Sequence, residues 1–239
     1  PLDCRDEIVA LADNMPRLGF GFDTIKKQSN TTRVRGHLLL EIVDQHIVSE
    51  LKTLNGHLPA YANQPGDALI AVGFGLDMAA LGSVVNNLRA RLINKKFSCR
   101  ALSGLQTEAI AMDPTMLAVA IAMGQGVSGI GAAIYDLDVV NLMEGRFAVD
   151  GLVSIATENP NLLAQLASLV PQLESIYIPT DGSSTSLIVP DMPPGLSPEI
   201  AVKGKHLVIF DGKTAAKTAQ LMRAEKLNKN GLFAIAANY

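Results

Sequence analysis

The stretch Ala68-Leu69-Ile70-Ala71-Val72-Gly73-Phe74-Gly75-Leu76 limits what this chain can fold into more than any other. Ile70, Val72, Phe74 and Leu76 alternate with Ala71, Gly73 and Gly75. Successive side chains on a strand point to opposite faces, so the segment predicts a strand with one bulky face and one nearly bare face. A helix can lie close on the bare face, which implies layers of helix on sheet. The order strand, polar turn, capped helix returns at 68–95, 146–170 and 206–227. The spacings differ by tens of residues, so the units form at most a degenerate repeat and not a solenoid. The expected architecture is α+β, a mixed or antiparallel sheet with helices packed on it. It is divided into lobes 1–112 and 113–239 or built as one continuous domain.

Capping and turn chemistry fill in the rest. Asp3 can cap a first helix reaching about Met15, with Pro16 stopping it. Gly19–Ile25 and Arg33–Val43 read as a hairpin, and Asp44–Leu54 as a short helix. Asp77 caps a helix whose Met78, Leu81, Val85, Leu88 and Leu92 form one apolar stripe. Arg146–Ala156 reads as a strand, and Asn159-Pro160 opens a helix carrying Leu162, Leu163, Leu166, Leu169 and Val170. Asp181-Gly182 suggests a hairpin between 175–178 and 186–189. Strands at 199–203 and 206–210, a helix at 214–227 and a last alternating strand at 232–238 complete the chain.

Pro114 to Tyr135 is a run of 22 residues without a charge, long enough to suggest a membrane span. Leu117, Val119, Ile121 and Met123 alternate with Ala118, Ala120 and Ala122, and Gly124, Gly126, Gly129 and Gly131 then interrupt the run. Period two and repeated glycine favour two strands, about 115–123 and 130–138, joined by a glycine-rich turn. No transmembrane span is expected. The stretch either lines an apolar groove, with Ala118, Ala120, Ala122 and Met123 as its candidate residues, or forms a buried central strand pair.

Charge excludes one class of partner. The net charge is −3, spread as +2 over residues 1–100, −10 over 101–200 and +5 over 201–239. That pattern gives internal balance or a small basic contact surface. It does not give the basic stripe of a nucleic-acid binder, and Trp is absent.

The motifs that suggest catalysis are each incomplete. Phe210-Asp211-Gly212-Lys213-Thr214 sits between strand and helix, but the position five before Gly212 is Leu207, so the phosphate cradle is missing. Gly124-Gln125-Gly126-Val127-Ser128-Gly129 matches the dinucleotide fingerprint, with Asp150 near the distance of a ribose-binding acid. The β-branched residues and acids of 130–140 make a poor helix to follow it. Ser128 lacks a nucleophile elbow because position 130 is Ile. His37, His46, His57 and His206 show no ligand or triad spacing, and His206 reads as a surface or partner-facing residue. Asp136, Asp138 and Glu144 read as solvated rim acids. No cofactor and no metal are expected.

Cys4 and Cys99 lie far apart with no companion Cys/His cluster. They are either two buried thiols or a bridge pinning the first helix. The bridge is the expectation, because the sequence opens without Met as a processed export product would.

Asn159-Pro160-Asn161-Leu162-Leu163-Ala164-Gln165-Leu166 through Pro171, Ile178-Pro179-Thr180-Asp181-Gly182 and Pro190-Asp191-Met192-Pro193-Pro194-Gly195 together resemble a group of uncharacterised secreted or periplasmic domains of Gram-negative bacteria. The resemblance spans about the last hundred residues and implies a periplasmic or secreted location, with the cytoplasm as the alternative. It carries no activity onto any residue. The expected function is a non-catalytic cell-envelope domain that binds an apolar ligand, such as a lipid, or another envelope protein. The alternatives are a nucleotide-using or hydrolytic enzyme built on Lys213/Thr214 or Ser128, and a purely structural module.

Overall fold

In the computed structural model the described residues are 2–28, 31–113, 115, 118, 121–122, 124–138, 148–161, 176–188 and 192–238. They form an α+β fold in which every described strand pairing of the large sheet is antiparallel. The chain divides into two compact units, one of Pro1–Thr24, Arg35–Leu54 and Met78–Gln125, the other of Ile25–Val34, Asn55–Asp77 and Gly126–Tyr239.

The first unit is mainly helical, with α1 (Leu2–Ala12), α2 (Gln45–Thr53), α4 (Met78–Asn94) and α5 (Arg100–Ala111). Most of the paired strands β1 (Arg17–Gln28) and β2 (Thr31–Glu41) accompany them. Asp44 caps α2, its Oδ1 accepting from His46 N at 2.8 Å and Ile47 N at 3.3 Å. Cys99 is the N-cap residue of α5 and offers no side-chain cap. Glu7 of α1 holds the residues just before that helix, its carboxylate accepting from Ser98 N at 2.6 Å and Cys99 N at 2.9 Å. Those bonds hold its carboxyl below the ordinary value of 4.5. The Cys4–Cys99 disulfide is present and ties the same two elements together across 95 residues.

The second unit is built on a sheet ordered β6-β7-β8-β5-β4-β3-β9. Its strands are β3 (Ile70–Gly75), β4 (Val127–Leu137), β5 (Val149–Thr157), β6 (Ser184–Ser186), β7 (Glu199–Lys203), β8 (His206–Asp211) and β9 (Phe233–Ala237). The bare face foreseen at 68–76 exists, and β4 shares it, because Gly73 pairs with Gly131 and Ala71 with Ala133. The short helix α3 (Ala60–Asn63) uses it. A Cβ on Gly73 would stand 2.8 Å from Ala62 Cβ, and one on Gly131 only 2.4 Å from Tyr61 Oη. Helix α6 (Lys213–Leu221) covers the same face farther along through Ala215 and Ala219, against Leu152, Val208 and Phe210.

The opposite face divides in two. At the β7–β8 end, Ile200, Val202 and Leu207 are buried under Ile178 and Leu187. On β5, β4, β3 and β9 the outward side chains Val153, Ile130, Ile70, Phe74, Phe233 and Ile235 remain 41–61 % exposed.

Two sequence expectations are corrected. Thr115, Ala118, Ile121 and Ala122 are helical and not part of a strand over 115–123. Ala, Leu and Met are strong helix formers and the two β-branched residues, Val119 and Ile121, do not bar a helix, so the alternation alone does not fix a strand. The strand at 130–138 is real, as β4. The hairpin between 175–178 and 186–189 does not form. Residues 176–179 are not strand, and Ser184–Ser186 pairs with β7 instead. Ile178 buries its side chain as a loop residue over the sheet, which meets its hydrophobic demand without strand pairing. Helices α3 and α5 have no counterpart in the sequence reading. The helix expected after Pro160 lies, beyond Asn161, outside the described residues.

Removing the disulfide with Cys4→Ser and Cys99→Ser should cost roughly 3–5 kcal/mol by the chain-entropy argument for a loop of this length. Urea unfolding followed by a probe in the first unit measures it. A loss below about 1 kcal/mol would mean that Glu7 alone secures α1 to α5.

Candidate functional site

Three places in the described residues carry features beyond ordinary packing. The first lies in the helical unit, where an open cleft of about 300 Å³ is lined by Ala79, Gly82, Asn86, Ala118, Ile121, Ala122 and Gln125. Two of the groove candidates, Ala118 and Ala122, therefore share a cleft. Ala120 and Met123 lie outside the described residues. The cleft exists because α4 carries no side chain at Gly82, where an added Cβ would stand 3.3 Å from Ile121 Cδ1.

The second is the uncovered part of the sheet's outer face. Phe74 and Phe233 are directly opposed on β3 and β9, with ring centroids 5.0 Å apart. Ile130 pairs with Phe74, and Val72 stands between Ala132 and Ile235. No charged residue falls within β3 or β9, and the acid of β4, Asp136, lies near its far end, beyond Ile134. Apolar patches of this kind are uncommon on monomers and mark contact surfaces.

The third joins residues that sequence spacing kept apart. His57 Nε2 lies 3.1 Å from Glu225 Oε1 and 3.4 Å from His206 Nε2, and both rings are buried. His206 is thus an interior residue and not the surface residue expected, because β8 lies inside the sheet and the 222–225 turn sits over it. The main chain builds the pocket. Residues 56–58 are strapped between Ser128, whose carbonyl accepts from His57 N at 2.6 Å, and Asn230, whose Oδ1 accepts from Leu58 N at 2.6 Å.

Hydrogen bonding fixes the protons. Asn228 N–H donates to His57 Nδ1 at 3.2 Å, so that nitrogen carries no proton and Nε2–H is the donor toward Glu225. Ala60 N–H also donates to Glu225 Oε1, at 2.7 Å. Burial raises the Glu225 carboxyl, but these two bonds and the nearby imidazoles outweigh it and hold it below 4.5. Burial pushes His206 below its ordinary 6.5, against the pull of the Glu225 charge. Its Nδ1 has no well-formed partner among the described residues, and the carbonyls of Lys203 and Met222 only bias it.

Two imidazoles and a carboxylate within 4.8 Å of one another could in principle hold a metal. Spacings of 3.1 and 3.4 Å even match the edge of a zinc tetrahedron, about 3.3 Å for bonds near 2.0 Å. The outer contacts oppose it. A metal-bound histidine donates from its other nitrogen, whereas His57 Nδ1 accepts, so coordination through Nε2 would demand an imidazolate. The arrangement is suited to sharing a proton. It also clasps the 225–231 segment to residues 56–60.

The enzyme motifs separate in space. Asp150 accepts from Thr214 N at 2.8 Å and Ala215 N at 2.7 Å, so the chain's own carboxylate fills the anion seat at the start of α6. Gly212, at φ +93°, lets Asp150 approach, since a Cβ there would fall 2.5 Å from its carboxyl carbon. That explains Gly212-Lys213-Thr214 and Asp150 together, without a nucleotide. Gly129 lies in strand β4, so no helix follows the dinucleotide-like glycines. Ser128 Oγ reaches only the Ala156 carbonyl, at 3.4 Å. Asp136 is exposed and sits opposite Asp150 in register, and Glu144 is outside the described residues. His46 is exposed at the start of α2. Nothing in the spacing of His57, His206 and Glu225 pointed to their meeting; only the rarity of histidine in the chain set them apart.

The lowered value of His206 means that the unfolded chain binds the proton more readily. Its contribution to stability is held above pH 6.5 and lost as pH falls below it, and Glu225 acts with the same sign below 4.5. The melting temperature should therefore drop between about pH 7 and about pH 5, and His206→Asn should flatten that slope. His57→Ala strands both the Asn228 N–H and the Glu225 carboxylate and should cost roughly 2–4 kcal/mol. An unchanged acid slope in His206→Asn would place the sensitive group elsewhere.

Comparison of the chain with protein-family models, with curated proteins and with solved structures finds no match to any of them.

Proposed function

We propose that this chain is a non-catalytic cell-envelope domain, periplasmic or secreted, that binds an apolar ligand or the apolar surface of another envelope protein. The observation that carries the reading is the exposed block of Ile70, Phe74, Ile130, Val153 and Phe233 on the sheet's outer face. Covering such side chains gains about 25 cal/mol per Å² of apolar surface. The Cys4–Cys99 bridge supports an oxidising compartment. No helix among the described residues is long and apolar enough to cross a membrane.

The cleft under Ala118 and Ala122 favours a second, smaller seat for the same class of ligand, since its 300 Å³ is at the lower end of ligand-pocket volumes. Native mass spectrometry of protein exported to a periplasm tests both. A lipid-sized adduct that leaves on denaturation is expected. Phe74→Lys with Val153→Lys should weaken its retention more than tenfold, each lost contact being worth about 1.5–3 kcal/mol. Ala122→Phe fills only the cleft and separates the two seats. A bare mass, with no binding to phospholipid vesicles, sinks the reading.

A further inference from the structure

We propose that β9 is the docking edge for a second copy of this chain, which pairs with it antiparallel about a two-fold axis at Ile235. The inference does not depend on the ligand reading, because it rests on backbone groups and register.

β9 is the last strand of the sheet among the described residues. Its pairing with β3 shows which backbone groups remain open. Gly75 N–H donates to Leu232 O at 2.9 Å and Asn238 N–H to Leu69 O at 3.0 Å. Antiparallel pairs alternate between hydrogen-bonded and non-hydrogen-bonded positions. The register therefore turns the N–H and C=O of residues 232, 234, 236 and 238 toward β3. The same groups of Phe233, Ile235 and Ala237 face away, with no partner among the described residues.

Edge strands are normally protected by a charge, a proline, a bulge or a covering loop. Leu232-Phe233-Ala234-Ile235-Ala236-Ala237 contains neither charge nor proline, and its pairing with β3 runs without a register shift. Phe233 and Ile235 are more than half exposed, and no strand among the described residues pairs with the outer edge of β9.

The strand is also complementary to itself. An antiparallel β9 pair centred on Ile235 sets Ile235 opposite its symmetry mate and Phe233 opposite Ala237 of the other copy. Each of these three positions is then a hydrogen-bonded pair, and the large ring meets the small methyl instead of another ring. No like charges oppose. The outer apolar face runs on from Val72 through Ile235 into the second copy, and the isologous contact closes after two subunits. An edge contact of this kind is small, so the dimer is reversible.

Light scattering of the full chain should give 25.3 kDa when dilute and move toward twice that mass on concentration to about 1 mM. Ile235→Lys places like charges face to face and should weaken association at least about tenfold. Ile235→Glu alone should do the same. Mixing the two variants should restore the dimer, which a folding defect in either could not do. Both native cysteines are bridged, so Ile235→Cys supplies the one free thiol. Its symmetry mate would lie about 5.5 Å away between Cα atoms, within disulfide reach, and a cross-linked dimer should form on mild oxidation. A mass fixed at 25.3 kDa at the highest concentration overturns the proposal. So does a dimer that Ile235→Lys leaves intact.

Discussion

The approach of Tyr61 and Ala62 to a sheet surface stripped of side chains is the contact on which the second unit depends. Gly73 and Gly131 sit side by side in β3 and β4, and neither leaves room for a methyl group. Because α3 is only four residues long, it has almost no helix stability of its own and exists by packing. Its position brings Tyr61 Oη within 2.7 Å of Ser154 Oγ across two strands. It also places the 55–60 segment where Gly129 must be glycine, since a Cβ there would fall 1.9 Å from the His57 carbonyl.

That placement sets up the histidine clasp. Once residues 56–58 are strapped beside β4, His57 has nowhere to point except into the space above His206. The segment returning from α6 then closes over it with Glu225, Asn228 and Asn230. The result joins positions about 170 residues apart by partly buried hydrogen bonds. Such a group is costly to leave half-made, so it ties the order of the 225–231 segment to the order of the sheet. The first unit solves a similar problem differently. There Glu7 and a covalent bond, both from α1, hold residues 98–99 at the start of α5.

The two faces of the sheet have opposite chemistry for one reason. The small residues that admit α3 and α6 lie on one face of each strand, and strand alternation sends the large ones to the other. Ile178 and Leu187, on either side of β6, cover the β7–β8 end of that second face. The outward apolar side chains of β5, β4, β3 and β9 are thus a by-product of close helix packing and also the molecule's best contact surface. The outer edge of β9 adjoins them directly, so the proposed ligand seat and the proposed self-pairing edge share one border.

Alternation at 68–76 and 232–238 was enough to read both strands and the bare face, because a period of two is a local property of the backbone. The Asp44 cap was legible for the same reason: its partners are two and three residues away. The helical conformation of Thr115, Ala118, Ile121 and Ala122 was not legible, since alternation of large and small apolar residues occurs in helix and strand alike and packing decides between them. Cys4 and Cys99 could be named as a candidate pair, but only the fold set them in bonding contact. Asp150 lay near the distance of a ribose-binding acid in a fingerprint that the following residues already argued against, and only the structure placed it on the α6 amides. His57, His206 and Glu225 share no periodicity or spacing, and their meeting follows from sheet order alone. Sequence determined what is set by neighbours a few residues away: the faces of the alternating strands and the Asp44 cap. Tertiary structure decided everything that depends on which distant segments meet, because burial and proton sharing arise only after those segments have packed.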